Sequence, residues 1–427
     1  MSMTSTNESV KLCIHRAADT IGGNCIELAF GGQRLLLDAG MPLDETAAAS
    51  PLPSTLDTSR PVQGVLLSHL HGDHAGSVPH LPPDWKVYCG EPTAMTLGIL
   101  SGFGEYDLRD QFRSWKPGRE LTLGVFHIIP HLVDHSAYDA YMLEITVGDK
   151  RILYSGDFRM HGRKSELMQR ILRHPPKDVD VLILEGTNLF HPGHTPKPVC
   201  SENELEAKLV DLFTKTKGRV FATWSSTNLD RTVTMFRACK RTGRTLVLDA
   251  FTMKLLDSLR EFYQGIPSYE WKDARPMTVV TSGMNWVLKN LYGNTDFINV
   301  LKDNNAAMGA AALNQTPERW VIMTRDSLAK DYQLKGVSPT ADDAWVWSQW
   351  RGYLEQDNTR IMREFLKPCG TPIHLHTSGH ASPDDLKTFA QAVNPRQIIP
   401  VHGEGWEHWA DKFSNCLPIA NGEWVDL

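Results

Sequence analysis

The sequence of 427 residues has few cysteines and no long hydrophobic segment. Its seven cysteines are scattered, odd in number and never spaced as Cys-x-x-Cys, which favours reduced thiols over a disulfide framework. No apolar run approaches the roughly 20 residues of a membrane-spanning helix. The polar N-terminal residues also lack the apolar core of a secretion signal. These absences predict a soluble cytoplasmic protein that has no membrane partner.

The chain also lacks an excess of basic residues, because its formal net charge is −6. This balance argues mildly against a nucleic-acid substrate. Bound divalent cations would nevertheless add local positive charge, and a basic groove can lie on an acidic protein. With 41% hydrophobic and 22% charged residues, the composition is that of a globular protein of two or three domain-sized units.

One short stretch concentrates side chains that bind metals. It reads Ser68-His69-Leu70-His71-Gly72-Asp73-His74 and follows an apolar run that predicts a short buried strand. On an extended backbone His69 and His71 point to the same side and can hold one ion, whereas Asp73 and His74 could reach a second. Three imidazoles and a carboxylate suit zinc or a similar transition ion. A chance group of polar loop residues would rarely combine four potential ligands so closely.

Acidic or histidine residues also stand where other predicted strands end. Asp38, Asp157 and Glu185 each close or follow an apolar run, and His402 follows the strand predicted at Gln397 to Val401. Each of these residues could simply cap a turn. A carboxylate at the end of a buried strand is costly without a partner, however, so each is also a candidate for the metal site. Between two further strands, His127, His131 and His135 compete as the next metal-site histidine.

The middle of the chain shows a different pattern. From Gly218 to about Trp345 predicted strands alternate with helices, which indicates a small parallel-sheet α/β unit. A Pro- and Gly-rich segment at residues 192–198 resembles a domain crossing. Strands that end in candidate metal ligands occur again later in the chain. We therefore expect the α/β unit to be an insertion within one domain. The predicted division is residues 1–197 for the first part of one domain, 198–345 for the insertion and 346–427 for the return.

These motifs resemble those of a known superfamily. The string His-x-His-x-Asp-His at residues 69–74 resembles the signature of the metallo-β-lactamase superfamily, as do residues 21–24 with 37–40 and the strand that ends at Asp157. The insertion is similar to the one that defines the β-CASP branch. Residues 376–381 and 400–404 resemble ribonuclease J, as does the loop at residues 225–231. The resemblance implies an αββα sandwich with an inserted parallel-sheet α/β β-CASP domain.

The resemblance also implies roles for individual residues. Its third motif selects His135 from the three competing histidines, and its opening motif favours Asp38 as a residue that orients a ligand histidine. His380 would be the proton donor or a phosphate contact, and Glu185 would orient it. Together with Asp73, these two are the expected catalytic residues. The implied metal ligands are His69, His71 and His135 for one ion, Asp73, His74 and His402 for the other, and Asp157 as the bridge.

The implied activity is metal-dependent hydrolysis of single-stranded RNA by two divalent ions, zinc or alternatively manganese. The string Ser378-Gly379-His380 resembles enzymes with a 5′-phosphate pocket, and this resemblance favours a 5′-to-3′ exonuclease mode over an endonuclease mode. Arg159, Arg163 and Lys164 are candidates to contact the substrate strand, or they form a solvated face. Three alternatives remain open: a DNA nuclease, a hydrolase of a small ester or thioester, and a non-catalytic scaffold. The sequence leaves monomer and homodimer equally open.

Overall fold

The computed structural model describes residues 8–43, 50–102, 110–189, 200–283, 296–405 and 413–427. These residues form two separate units. The first unit contains the described residues up to 189, except Gly102, and those from 379 onward; the second contains Gly102 and residues 200–378. The crossing predicted at residues 197 and 198 lies outside the described residues.

The strands of the first part of unit 1 follow one another along the chain. They are β1 Lys11–Arg16, β2 Cys25–Phe30, β3 Gln33–Leu37, β4 Val65–Leu66, β5 Val87–Gly90, β6 Phe112–Trp115, β7 Leu121–Leu123, β8 Phe126–Val133, β9 Ala140–Val147, β10 Lys150–Tyr154 and β11 Val181–Glu185. The strands of unit 2 are β12 Val220–Thr223, β13 Thr245–Asp249, β14 Met277–Val279, β15 Ala307–Met308, β16 Trp320–Met323, β17 Ala344–Trp347 and β18 Ile373–His374. The chain then returns to unit 1 with β19 Gln397–Val401 and β20 Trp424–Asp426.

The helices lie between these strands. The α-helices among the described residues are α1 Gly72–Ala75, α2 Glu91–Gly102, α3 Ser165–Arg173, α4 Glu202–Lys215, α5 Leu229–Thr242, α6 Ala250–Leu259, α7 Asp296–Asp303, α8 Asp326–Leu334, α9 Arg360–Leu366 and α10 Pro383–Val393. Short 3₁₀ turns occupy Val78–His80, Ala310–Asn314, Pro317–Arg319, Arg351–Glu355, Asp357–Thr359 and Lys367–Cys369. Within the described ranges, no helix combines the length and the apolar character needed to cross a bilayer.

Unit 1 contains two sheets that pack face to face. One has the strand order β20-β1-β2-β3-β4-β5-β6, and the other has the order β19-β11-β10-β9-β8-β7. A single apolar core joins them, because Leu28 and Leu37 of the first sheet and Phe126 and Ile183 of the second belong to the same cluster of buried side chains. This arrangement removes the apolar face of each sheet from water, which is the main driving force for the packing.

Helices cover the two outer faces of unit 1. Met168 of α3 and Phe389 of α10 pack on the outer face of the second sheet. Ala75 of α1 packs on the outer face of the first sheet, where α2 also contributes Leu97. The layers therefore run helix, sheet, sheet, helix, and the predicted αββα sandwich is confirmed. The residues that follow His71 form one helical turn, α1, which carries Asp73 and His74.

Unit 2 contains one parallel sheet with the order β15-β14-β13-β16-β12-β17-β18. Every strand pair in this sheet is parallel, and helices connect most of its strands, as the alternating sequence pattern predicts. The return to unit 1 occurs at Gly379, later than the residue 346 expected from the sequence. The reason is that β17 and β18 hydrogen-bond to the same sheet, so the chain up to Ser378 stays with unit 2.

Candidate metal centre

The candidate ligands of unit 1 lie at strand ends on one edge of its sheets. β10, β11 and β19 are neighbours and run parallel. Asp157 follows β10, Glu185 is the last residue of β11, and His402 follows β19 directly. Because the carboxyl ends of parallel strands meet at the same edge, residues 245 positions apart become neighbours there.

Three histidines form the first cluster. His69, His71 and His135 each direct a ring nitrogen to a common region, and these nitrogens lie within 4.8 Å of one another. The Nδ1 atom of His71 is 3.1 Å from Nε2 of His69 and 3.0 Å from Nε2 of His135. Burial lowers the pKa of His69 and His135 well below the usual range and that of His71 to about 4. The rings are therefore neutral, the form in which imidazole binds a metal.

The second cluster contains Asp73, His74, Asp157 and His402, whose ligand atoms also lie within 4.8 Å of one another. Nε2 of His74 is 3.1 Å from Oδ2 of Asp157, and Nε2 of His402 is 3.3 Å from Oδ2 of Asp73. Burial disfavours the charged form of Asp157, but the histidines around it outweigh this effect and hold its pKa well below the usual range.

Asp157 lies between the two clusters. Besides its contacts in the second cluster, its Oδ2 atom is 3.8 Å from Nε2 of His69 in the first. The carboxylate is almost completely buried, and neither of its oxygens has a hydrogen-bond partner. Nε2 of His74 and Nδ1 of His135 also make no hydrogen bond. Unsatisfied buried polar atoms are costly, so this concentration of them indicates a missing partner.

The donor set identifies the chemical class of that partner. It combines imidazole nitrogens with carboxylate oxygens, contains no thiolate, and is buried at the edge of a rigid sandwich. Such nitrogen and oxygen donors bind zinc and similar divalent ions. The residues therefore fit a divalent metal site, in agreement with the expectation from the sequence.

Asp38 hydrogen-bonds to His74 of the second cluster. Its carboxylate accepts hydrogen bonds from the Ser68 N–H at 2.7 Å, the Ser68 hydroxyl at 2.8 Å, the Tyr154 hydroxyl at 2.6 Å and Nδ1 of His74 at 2.7 Å. With Nδ1–H of His74 donating to Asp38, Nε2 of the same ring is directed toward Asp157. Asp38 thus selects the tautomer in which His74 can bind a metal.

We expect Asp38→Asn to reduce metal affinity about 10- to 100-fold, the usual effect of removing a partner that orients a ligand histidine. Asp38 has φ +57°, which asparagine tolerates well, so the backbone should persist. A competition titration with a metal chelator would measure the change. Tyr154→Phe, which removes one donor to Asp38 and keeps the bond to His74, is the matched control and should have a much smaller effect. Equal affinities for Asp38→Asn and the wild-type protein would contradict this role.

His380 and Glu185 form a third group beside Asp157. Nδ1 of His380 is 3.1 Å from Oε2 of Glu185 and 3.5 Å from Oδ2 of Asp157. Oε1 of Glu185 accepts a hydrogen bond from the Phe158 N–H at 3.1 Å, which ties the pair to the loop that carries Asp157. Burial alone would lower the pKa of His380, but the carboxylates of Glu185 and Asp157 outweigh it and raise the pKa to about 9. The His380 side chain is 20% exposed, so it reaches solvent while Glu185 and Asp157 stay buried.

The other two histidines that competed with His135 lie outside these clusters. His127 is 51% exposed and contacts Glu120 at 3.0 Å, whereas His131 pairs with Glu144 at 2.9 Å. Both are on β8, which ends at Val133, and His135 lies just beyond this strand at the site edge.

One sequence expectation at this site is wrong. Arg159 was a candidate for contact with the substrate, but it is fully buried at 0% exposure. Its backbone N–H donates to the Asp134 carbonyl at 2.7 Å, and its Nε is 3.6 Å from Oδ1 of the same residue. Lys164 likewise donates to the Ala137 carbonyl at 3.0 Å. Arg159 therefore connects the loop after Asp157 to the loop that carries His135.

Two supporting residues were not singled out from the sequence. Tyr154 donates to Asp38, as described above, and Thr187 has its hydroxyl 2.7 Å from Nδ1 of His402. Thr187 follows Glu185 by two residues, so its place just after a strand end was a usable signal. Tyr154 looks like any other apolar strand residue in the sequence, and only its partner across the sandwich distinguishes it.

Comparison with known proteins agrees with this fold and site. Residues 33–244 match the family model described as a β-lactamase superfamily domain, and residues 373–413 match a Zn-dependent metallo-hydrolase RNA specificity domain. A crystal structure of a protein of unknown function from Enterococcus faecalis V583 has a TM-score of 0.74, with 22% identity over 98% of this chain and 100% of that one. These matches, together with the αββα sandwich and its inserted parallel sheet, support the predicted resemblance to the β-CASP branch of the metallo-β-lactamase superfamily.

Within that branch the chain resembles ribonuclease J. An alignment of 419 positions with ribonuclease J of Helicobacter pylori shows 24% identity and covers 94% of this chain and 57% of that protein. An alignment of 412 positions with ribonuclease J of Mycobacterium tuberculosis also shows 24% identity and covers 90% of this chain and 67% of that protein. The chain thus spans little more than half the length of the Helicobacter relative.

Proposed function

We propose that this protein is a metal-dependent ribonuclease that hydrolyses phosphodiester bonds in single-stranded RNA. The observation that carries the proposal is that two clusters of imidazole and carboxylate side chains meet at one buried carboxylate, Asp157, beside a partly exposed histidine, His380. The likeness to ribonuclease J and to an RNA specificity domain supports RNA as the substrate.

The proposed division of ligands follows the two clusters. One ion would be held by His69, His71 and His135, the other by Asp73, His74 and His402, and Asp157 would contact both. When bound, a pair of divalent ions lowers the pKa of a water molecule and neutralises charge on the phosphate oxygens. The protein keeps the ligand set rigid, because Asp38 orients His74 and Thr187 contacts His402.

His380 is the proposed general acid. With Nδ1–H donating to Glu185, Nε2 is the atom that would carry a proton toward the departing ribose oxygen. Glu185 keeps the ring in this orientation, because its second oxygen is held by the Phe158 N–H. The pair thus performs the part of the reaction that metal ligands do not, namely protonation of the leaving group.

The proposed direction of cleavage is 5′ to 3′ from a 5′-phosphorylated end. The string that contains Gly379 and His380 resembles enzymes with a 5′-phosphate pocket, which supports this direction. A Cβ atom at position 379 would lie 3.2 Å from the His135 ring and from the Ser136 hydroxyl, so the site packs closely there. A larger residue at position 379 would fill this space and press on a proposed ligand.

A direct assay tests both activity and substrate. The purified protein is incubated with end-labelled RNA and with DNA of the same sequence, each carrying a 5′-monophosphate or a 5′-triphosphate. We expect cleavage of the RNA, faster with the monophosphate, and loss of cleavage after chelation with recovery on adding zinc or manganese. Faster cleavage of the DNA would refute the choice of substrate. Unchanged RNA cleavage after complete removal of metal would refute the metal-dependent mechanism.

A further inference from the structure

Unit 2 has an open depression at the amino edge of its parallel sheet, with a volume of about 580 Å³. The segments that form it precede β12, β13 and β16, which are neighbours at the centre of the sheet. The last turns of α4 and α5 border it as well. The depression therefore has a rigid base, because each contributing segment is anchored to a central strand.

The charge of this depression is opposite to that of the whole chain. Lys215, Lys217, Arg244 and Arg319 line it together with a single carboxylate, Glu318. The full sequence has a net charge of −6. A local cluster of cations on an acidic protein requires a specific reason, either within the fold or in a ligand.

The fold accounts for two of the four cations. The Arg244 guanidinium donates to the carbonyls of Phe213, Thr216 and Gly218, which satisfies the end of α4 and the turn that follows. Lys215 forms an ion pair with Asp211 at 2.7 Å, one turn earlier on α4. These two residues are structural and need no ligand to explain them.

Lys217 and Arg319 are not accounted for in this way. Both are exposed, and no carboxylate among the described residues lies within ion-pair distance of either. The Arg319 guanidinium lies 4.9 Å from the centre of the Trp320 ring, and its Nε is 3.4 Å from the Thr245 hydroxyl. Stacking on an indole restricts the guanidinium while its outer N–H groups still point to solvent, an arrangement well suited to a phosphate.

We propose that this depression binds phosphate groups of the RNA backbone through Lys217 and Arg319, as a contact separate from the metal centre. The identification of the bound polyanion as RNA rests on the proposed function. A guanidinium binds phosphate oxygens through two parallel hydrogen bonds and a lysine ammonium binds them as a point charge, so this pair of side chains suits a phosphodiester backbone. Contacts of this type would not read sequence.

The test compares the double variant K217A/R319A with the wild-type protein, both loaded with metal. The probe is a long single-stranded RNA with phosphorothioate linkages, which keeps its charge and resists hydrolysis. Fluorescence anisotropy at several salt concentrations gives the affinity and its salt dependence. We expect the variant to bind this RNA about tenfold more weakly and to lose about 1.4 from the magnitude of its log–log salt slope, about 0.7 for each lost phosphate contact.

A control and a second variant separate the outcomes. K272A/K302A removes two exposed lysines of unit 2 outside the depression and should leave the slope unchanged. If alanine at 319 destabilises the fold, R319K keeps the charge and should recover most of the salt slope.

Equal slopes for K217A/R319A and the wild-type protein would refute this site even if RNA is hydrolysed. If no RNA is hydrolysed and the slopes still differ, the site stands and only the proposed activity fails. Competition by an acidic peptide without any change in the RNA slope would also refute it.

Discussion

Asp157→Asn should abolish hydrolysis. We expect kcat/KM for RNA to fall by about a thousandfold or more, a loss that equals or exceeds the usual effect of removing one preorganised group that stabilises charge in the transition state. Both carboxylate oxygens of Asp157 are buried and lack hydrogen bonds. They lie 3.1 Å from His74, 3.7 Å from His402 and 3.8 Å from His69, so one side chain serves both clusters. Asparagine keeps the shape but removes the charge that two cations would share.

Steady-state kinetics together with elemental analysis of the purified variant measure this effect. We expect less than the wild-type amount of bound metal and a melting temperature that shows a folded protein. His127→Ala is the matched control, because it removes an exposed histidine of β8 outside the clusters, and it should retain full activity. Wild-type kinetics and metal content in Asp157→Asn would disprove the central role of this carboxylate.

His380→Ala should reduce kcat about 10²- to 10⁴-fold, the typical contribution of a general acid. Its Nδ1 is held by Glu185, and its side chain is the partly exposed member of the third group. Loss of the imidazole removes the proton for the leaving oxygen but leaves the first cluster and Asp73, His74 and Asp157 in place. Metal content should therefore remain at the wild-type level.

Metal analysis distinguishes this role from ligation. If His380→Ala loses metal, His380 is a ligand, as its 3.5 Å distance from Asp157 would allow. A substrate with an activated leaving group, such as a p-nitrophenyl phosphodiester, gives a second readout, because it needs no general acid. We expect the variant to recover most of its rate on that substrate. An equal loss on both substrates would exclude protonation as the function of His380.

Local sequence signals predicted several elements well. The strand predicted at Gln397 to Val401 is β19, and the strands and helices expected to alternate from Gly218 to about Trp345 are those of unit 2. Ser201 caps α4 in a capping box, a local pattern of serine followed three residues later by glutamate. These features depend on residues within a few positions of one another, so a short window of sequence contains the necessary information.

The end of the insertion was harder to predict. β17 follows the predicted pattern of buried strands, but β18 has only two residues, both exposed. Its membership of the sheet depends on pairing with β17 across 25 intervening residues. A strand of that length carries almost no periodicity, which is why the return was expected at residue 346 instead of Gly379.

The chemistry of the site follows from the sequence, because the imidazoles and carboxylates stand at the ends of apolar runs and their types suit a divalent metal. The residue pattern, taken without the family resemblance, left open which of these side chains meet, and the folded chain supplies the answer. It joined His135 but not His127 to His69 and His71, set Asp157 between two clusters, and buried Arg159. The physical reason is that these distances depend on the pairing and register of strands far apart in the chain, and no local signal encodes that register.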